Sequence, residues 1–125
     1  MEYKPMKLQS PLYGLAIRHP VGQESTAVLE NLTDDYKIDY LRPVLDEMKQ
    51  TGVRNVVLDL SQFPATSRRQ WLAFLDGAIA MASDFETRYT GITADEAGAG
   101  EPSFRDYIAP KIAESLDVAV QSFSE

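Results

Sequence analysis

The segment Val53-Arg54-Asn55-Val56-Val57-Leu58-Asp59-Leu60 constrains the fold more than any other part of this chain. It holds three β-branched residues and a continuous apolar centre, so the side chains on both faces of a strand here are apolar. Such a strand suits burial on both faces, as in a sheet with helices packed over it. The helices are legible on either side. Ile38, Leu41, Val44, Leu45 and Met48 recur at helical spacing, Asp39 serves as an N-cap, and Pro43 falls in the first turn, where a missing N–H is tolerated. Gly52 stands where a helix end wants a left-handed residue, so the spacing predicts a first helix over 40–51. After a loop at 61–65, Ser67-Arg68-Arg69-Gln70 matches the capping-box pattern. Trp71, Phe74, Leu75, Ala78, Ile79 and Ala82 then form one apolar stripe, predicting a second helix over 68–83.

The remaining elements are shorter. Residues 12–18 and 26–32 read as strands of a hairpin, although Gly14 interrupts the first, and His19-Pro20-Val21-Gly22 has turn chemistry. Residues 85–92 alternate as a strand, whereas 94–102 are small, acidic and glycine-containing and read as a mobile loop. A third helix opens near Ser103 and breaks or restarts at Pro110, and 116–123 read as a last strand. The expected order is β-β-α-β-α-β-α-β, an α/β fold with a mixed central sheet. Residues 1–11 form an extended lead-in to a single domain over 12–125, and 125 residues bury enough surface to need no metal or disulfide.

Composition narrows the function. Nineteen acids against 12 bases give a net charge of −7, and Arg68–Arg69 is the nearest thing to a basic cluster, so nucleic acid is not an expected partner. With no cysteine, disulfides, thiolate catalysis and Cys-ligated zinc are excluded. Neither a signal-peptide pattern nor an apolar run of membrane-spanning length is present, so the expectation is a soluble cytoplasmic protein with no membrane span.

Candidate chemistry is sparse. The one histidine, His19, lacks the spacing of a metal motif and reads as a surface turn residue; GxSxG, GxGxxG and P-loop patterns do not occur. Asp34, Asp35 and Asp59 admit two readings: a magnesium pocket of the receiver type, or turn and cap residues. Trp71 is either core or an interface anchor. Arg68 and Arg69 sit unfavourably at the positive end of a helix, either as plain surface charge or to meet a carboxylate or phosphate on a partner.

The stretch from Ala27 to Leu75 resembles a STAS domain, the fold of bacterial anti-sigma-factor antagonists. The likeness is carried by Ala27-Val28-Leu29-Glu30-Asn31-Leu32, Tyr40-Leu41-Arg42-Pro43-Val44-Leu45, Asn55-Val56-Val57-Leu58-Asp59-Leu60-Ser61 and Phe63-Pro64. The resemblance implies a non-enzymatic regulatory or scaffolding module without cofactor. Its partner would be a protein, either a kinase or anti-sigma-like regulator or a second copy in a homodimer. The implied contact surface is Phe63, Pro64, Thr66, Ser67, Arg68, Arg69 and Trp71. Where the family carries a phosphorylated serine, a gapless placement sets Arg68 and Arg69; only Ser67 and Thr66 offer hydroxyls for phosphorylation. The family's closing helix has no expected counterpart. The alternatives are a magnesium-dependent phosphoacceptor and a sensor of a small apolar ligand.

Overall fold

A computed structural model describes residues 1–12, 14–30, 41–82 and 85–124. The strands are β1 (Tyr3–Pro5), β2 (Ala16–Pro20), β3 (Thr26–Glu30), β4 (Asn55–Asp59) and β5 (Glu86–Thr90). The helices are α1 (Leu41–Gln50), α2 (Arg68–Ala82), α3 (Ala94–Ala97), α4 (Pro102–Ile108) and α5 (Leu116–Gln121). Short 3₁₀ turns follow α4 at Ala109–Lys111 and α5 at Ser122–Ser124. The fold is α/β: one mixed sheet of order β1-β2-β3-β4-β5 with helices packed on it. β1 pairs with β2 and β2 with β3 antiparallel, while β3 pairs with β4 and β4 with β5 parallel.

Alternation along β4 divides the core. Val56 and Leu58 join Ile17, Ala27 and Leu29 on the face covered by α1 and α2, through Leu41, Val44, Leu45, Met48, Leu72, Leu75 and Ile79. Val57 turns the other way and packs with Val28 against Ala119 and Val120 of α5. All three central residues of β4 are buried, as its apolar run requires. α1 ends as its glycine demands. Gly52 is left-handed (φ 100°) and donates to the Lys49 carbonyl at 3.2 Å, while Val53 N–H donates to the Met48 carbonyl at 3.0 Å, a Schellman close. The predicted N-cap Asp39 lies outside the described residues, as do Asp34 and Asp35.

The C-terminal strand expected over 116–123 is a helix and a 3₁₀ turn. Leu116, Val118 and Val120 alternate as a strand would, but Leu116, Ala119, Val120 and Phe123 are also spaced i, i+3, i+4, i+7, and these four pack on the sheet. Val118 is left 39% exposed. Ser115 caps the helix by accepting from Val118 N–H at 3.2 Å, and the open side of β5 is already taken, with Ala113 N–H donating to the Tyr89 carbonyl at 2.8 Å.

The expected loop at 94–102 also contains a helix, α3, capped by Thr93, whose hydroxyl accepts from Glu96 N–H at 3.1 Å. Gly98 then packs so tightly that a Cβ would lie 2.1 Å from Arg105 Cβ. The lead-in, in turn, supplies a strand: β1 forms the far edge of the sheet. Left-handed Gly14 (φ 66°) keeps β2 from starting before Ala16, and β2 runs on through His19, which is a half-buried strand residue opposite Lys4 and not a turn residue. Beyond β1, the Glu47 carboxylate accepts the backbone N–H groups of Gln9 (2.6 Å) and Ser10 (2.7 Å), bonds that hold it below the usual carboxylate range.

Replacing Val120 with Ser should cost about 1–3 kcal/mol, whereas Val118→Ser should stay within about 0.5 kcal/mol. Urea midpoints distinguish them; equal losses would restore the strand. The Glu47 tether should hold fully above about pH 5 and be lost as pH falls through the lowered pKa of Glu47. The amide shifts of Gln9 and Ser10 report this directly, and Glu47→Gln should leave them without that acid transition.

Candidate functional site

The C-terminal ends of β4 and β5 open onto a rim built from the loop at 61–67, the start of α2, and α3. Ligands and partners of parallel sheets gather at such an edge. The loop is pinned at its base. Asp59 accepts from the Ser61 N–H (3.0 Å) and hydroxyl (2.7 Å), and Leu60 N–H donates to the Thr90 carbonyl at 2.9 Å. Gly91 (φ 82°) passes so close that a Cβ there would fall 2.4 Å from Ser61 N; only glycine meets both demands. Phe63 then drives its ring into the core at 2% exposure.

The sequence-derived contact residues separate into two sets. Pro64 and Thr66 are exposed, together with Ser61, Gln62 and Ala65. Phe63 is not an available anchor, because it is core; its ring stacks at 5.6 Å against Trp71, which is half-buried and carries the aromatic contact outward to Phe74 at 6.3 Å. Ser67 precedes α2, but its hydroxyl donates to the Pro64 carbonyl at 3.4 Å.

Arg68 and Arg69 have partners within the chain. Arg68 donates to both Glu96 oxygens at 3.2 Å and to the Phe63 carbonyl at 3.1 Å. Arg69 donates to the Ala97 carbonyl at 3.3 Å and pairs with Glu101 at 3.3 Å. Their planar, multidentate heads bolt α3 to α2, which explains why two cations stand at the unfavourable end of a helix dipole.

No family model, curated protein or solved structure matches this chain. The functional reading therefore rests on the rim itself and on what surrounds it.

A magnesium pocket finds no support around Asp59, whose carboxylate is engaged by Ser61; among the described residues, no group of three or more His, Cys, Asp or Glu could hold a metal. Two open cavities lie away from the rim. One of about 460 Å³ is lined by Lys49, Arg54, Asn55, Phe85 and Glu86 among others, and one of about 330 Å³ by Lys4, Lys7, His19 and Glu24 among others. Both carry charged walls. No helix among the described residues is long and apolar enough to cross a membrane.

One polar cluster escaped the sequence reading altogether. Asp76, in the middle of α2 and 8% exposed, accepts a short hydrogen bond from the Tyr89 hydroxyl of β5 and a long one, 3.5 Å, from Tyr107 of α4. Lys111 donates to the Tyr107 oxygen at 3.2 Å and to Thr87 Oγ1 at 3.5 Å, with its ammonium 4.6 Å from the Tyr107 ring centre. Burial, reinforced by the Asp76 carboxylate, pushes the Tyr89 phenol well above its ordinary pKa. The cluster fastens α2, β5 and α4 together behind the rim.

Tyr89→Phe should therefore destabilise the fold by about 1–3 kcal/mol at neutral pH, by leaving Asp76 with only the long Tyr107 bond. The wild-type contribution is complete below about pH 10, the ordinary tyrosine pKa, and is lost as pH rises through the raised value. Thermal melts between neutral and strongly alkaline pH should show a gap between the two proteins that narrows with pH; a constant gap would refute the linkage.

Proposed function

We propose that this chain is a non-enzymatic regulatory or scaffolding module of the STAS type, which binds a protein partner through the loop at 61–67 and the first turn of α2. The observation that carries this reading is a surface exposed at its tip and fixed at its base. Gln62, Pro64, Ala65 and Thr66 face solvent, while Phe63, Gly91 and Arg68 hold the backbone beneath them. A partner meeting a preformed loop is spared the cost of ordering it. An exposed loop on a rigid base is a surface suited to binding.

The five-stranded mixed sheet and the terminal helix α5 support the STAS-type reading in kind. The engagement of Arg68 and Arg69 with α3 supports a module that binds in one state, without the family's serine switch. Thr66 and Ser67 are the hydroxyls that directly precede that position in the sequence. An acidic chain of net charge −7 favours a partner with a basic patch, with association slowing as salt rises. A kinase or an anti-sigma-like regulator fits that description.

The test uses two exposed positions with no side-chain hydrogen bond or ion pair among the described residues. Arg68 is unsuitable, since its loss would free α3. In Gln62→Lys with Thr66→Lys, the circular dichroism spectrum should stay native, while a partner retained by the wild type in affinity capture from the source cells is lost. Identical partner profiles for the two proteins would sink the proposal.

A further inference from the structure

Most cations of this fold have a partner inside it. Arg18 pairs with Glu30, Arg68 with Glu96, Arg69 with Glu101, Arg88 with Glu86 and Arg105 with Asp95, at 2.6–3.9 Å. Lys111 donates to Tyr107 and Thr87. Lys4 and Lys7 differ. Neither makes an ion pair or a side-chain hydrogen bond among the described residues, in a chain with 19 acids to 12 bases. A lone surface lysine rests in water without cost. These two instead converge with His19 on one cavity of about 330 Å³, whose wall also holds Met6, Glu24 and Thr51.

The sheet register makes that gathering unfavourable. Lys4 stands directly opposite His19 across β1 and β2, and opposed side chains lie about 4.5–5.5 Å apart at Cβ, so Lys4 repels any positive charge on the ring. Glu24, in the same wall, pairs with neither lysine. An edge lysine can guard against a wrongly added strand, but Pro5 already does this for β1, and Lys7 lies beyond the strand. His19 is half-buried, with Nδ1 3.1 Å from the Pro20 carbonyl. A carbonyl only accepts, so Nδ1 carries the proton, and Nε2 has no partner among the described residues.

We propose that this cavity binds a small organic phosphate. Two ammonium groups and an imidazole are separate point donors, which suit a compact head with three oxygens. A planar carboxylate is matched better by a guanidinium fork, and the cations of this wall are of the other kind. His19 Nε2 can accept the proton of a phosphate hydroxyl or, once protonated, donate to a phosphate oxygen. The volume falls at the lower end of what small-molecule sites enclose, roughly 300–1,000 Å³, and Met6 and Pro5 give an organic body something apolar to lie on. The net charge of −7 makes the chain as a whole a poor attractor of anions, so capture depends on this local cluster and weakens as salt rises. The cavity lies at the opposite end of the parallel strands from the loop at 61–67, and the inference does not rest on the function proposed for that loop.

Proton–nitrogen NMR spectra of the full chain, titrated with inorganic phosphate at fixed ionic strength, test the site. The amides of Lys4, Met6, Lys7 and His19 should shift together and saturate, with a dissociation constant on the order of 1 mM. Phenyl phosphate should bind at least about threefold more tightly, through its apolar body. Lys4→Gln and Lys7→Gln should each weaken binding about fivefold or more while keeping native circular dichroism spectra, since both side chains are exposed. Arg42→Gln removes the same charge from an exposed position about 14 Å along α1 from Thr51, and should leave the affinity within about twofold. The absence of a saturable shift overturns the inference, as do shifts spread over lysines elsewhere, the mark of an adventitious ion only. An equal loss in Arg42→Gln, acetate binding as tightly as phosphate, or phenyl phosphate binding no more tightly than phosphate itself would each overturn it as well.

Discussion

Everything in this fold hangs on β4 being apolar on both sides. Val56 and Leu58 commit one face to α1 and α2, and Val57 commits the other to whatever can cover it. Burying each such side chain contributes roughly 1.5–3 kcal/mol, so a sheet covered on one face alone would forfeit a large share of a typical domain's net stability. That requirement falls on α5, a helix of six residues, which meets it with Ala119 and Val120 and is tied in by Tyr3 donating to Asp117 and by Arg88 donating to Ser122. The Tyr3 phenol is pushed up to about 12, chiefly by burial and then by its bond to Asp117. A polar contact at the sheet's edge thus helps to seat the lid over its centre.

The same economy of parts shapes the rim. Backbone hydrogen bonds end with β4 and β5, and beyond them the chain is held by close approach and by side chains that would otherwise be surface charge. Gly91 lets the β5 turn lie against Ser61, Phe63 anchors the loop inward, and Arg68 and Arg69 gather α3 to α2. Behind them Asp76, Tyr89, Tyr107 and Lys111 join helix, edge strand and α4. Exposed ion pairs of this kind contribute little singly, but a buried carboxylate satisfied by two hydroxyls specifies geometry well.

Much of this was readable from the chain alone. The boundaries of α1, β4 and α2 follow from periodicity and glycine placement, because a helix face and a doubly buried strand leave different marks. The hairpin of β2 and β3 follows from turn chemistry, and the break at Pro110 from the missing N–H. Two short segments misled. In 116–123 both periods fit the apolar residues, and the Ser115 cap with a blocked sheet edge decided for helix. In 94–97 the Thr93-x-x-Glu96 capping pattern was present but overshadowed by small and acidic residues. The site was less legible. Pro64 and Thr66 are exposed, whereas Phe63, expected as an anchor, is core, because apolarity marks both cores and interfaces.

The sequence by itself determined α1, α2 and the doubly buried strand β4, because those depend on neighbours within a few residues. It also determined the acidic balance and the absence of thiol chemistry. Only the tertiary structure decided that the two arginines are internal fasteners and that Asp76 meets two tyrosines. Each of these joins residues 13 or more positions apart. Local spacing carries no record of that, since the partner is chosen by how the layers pack.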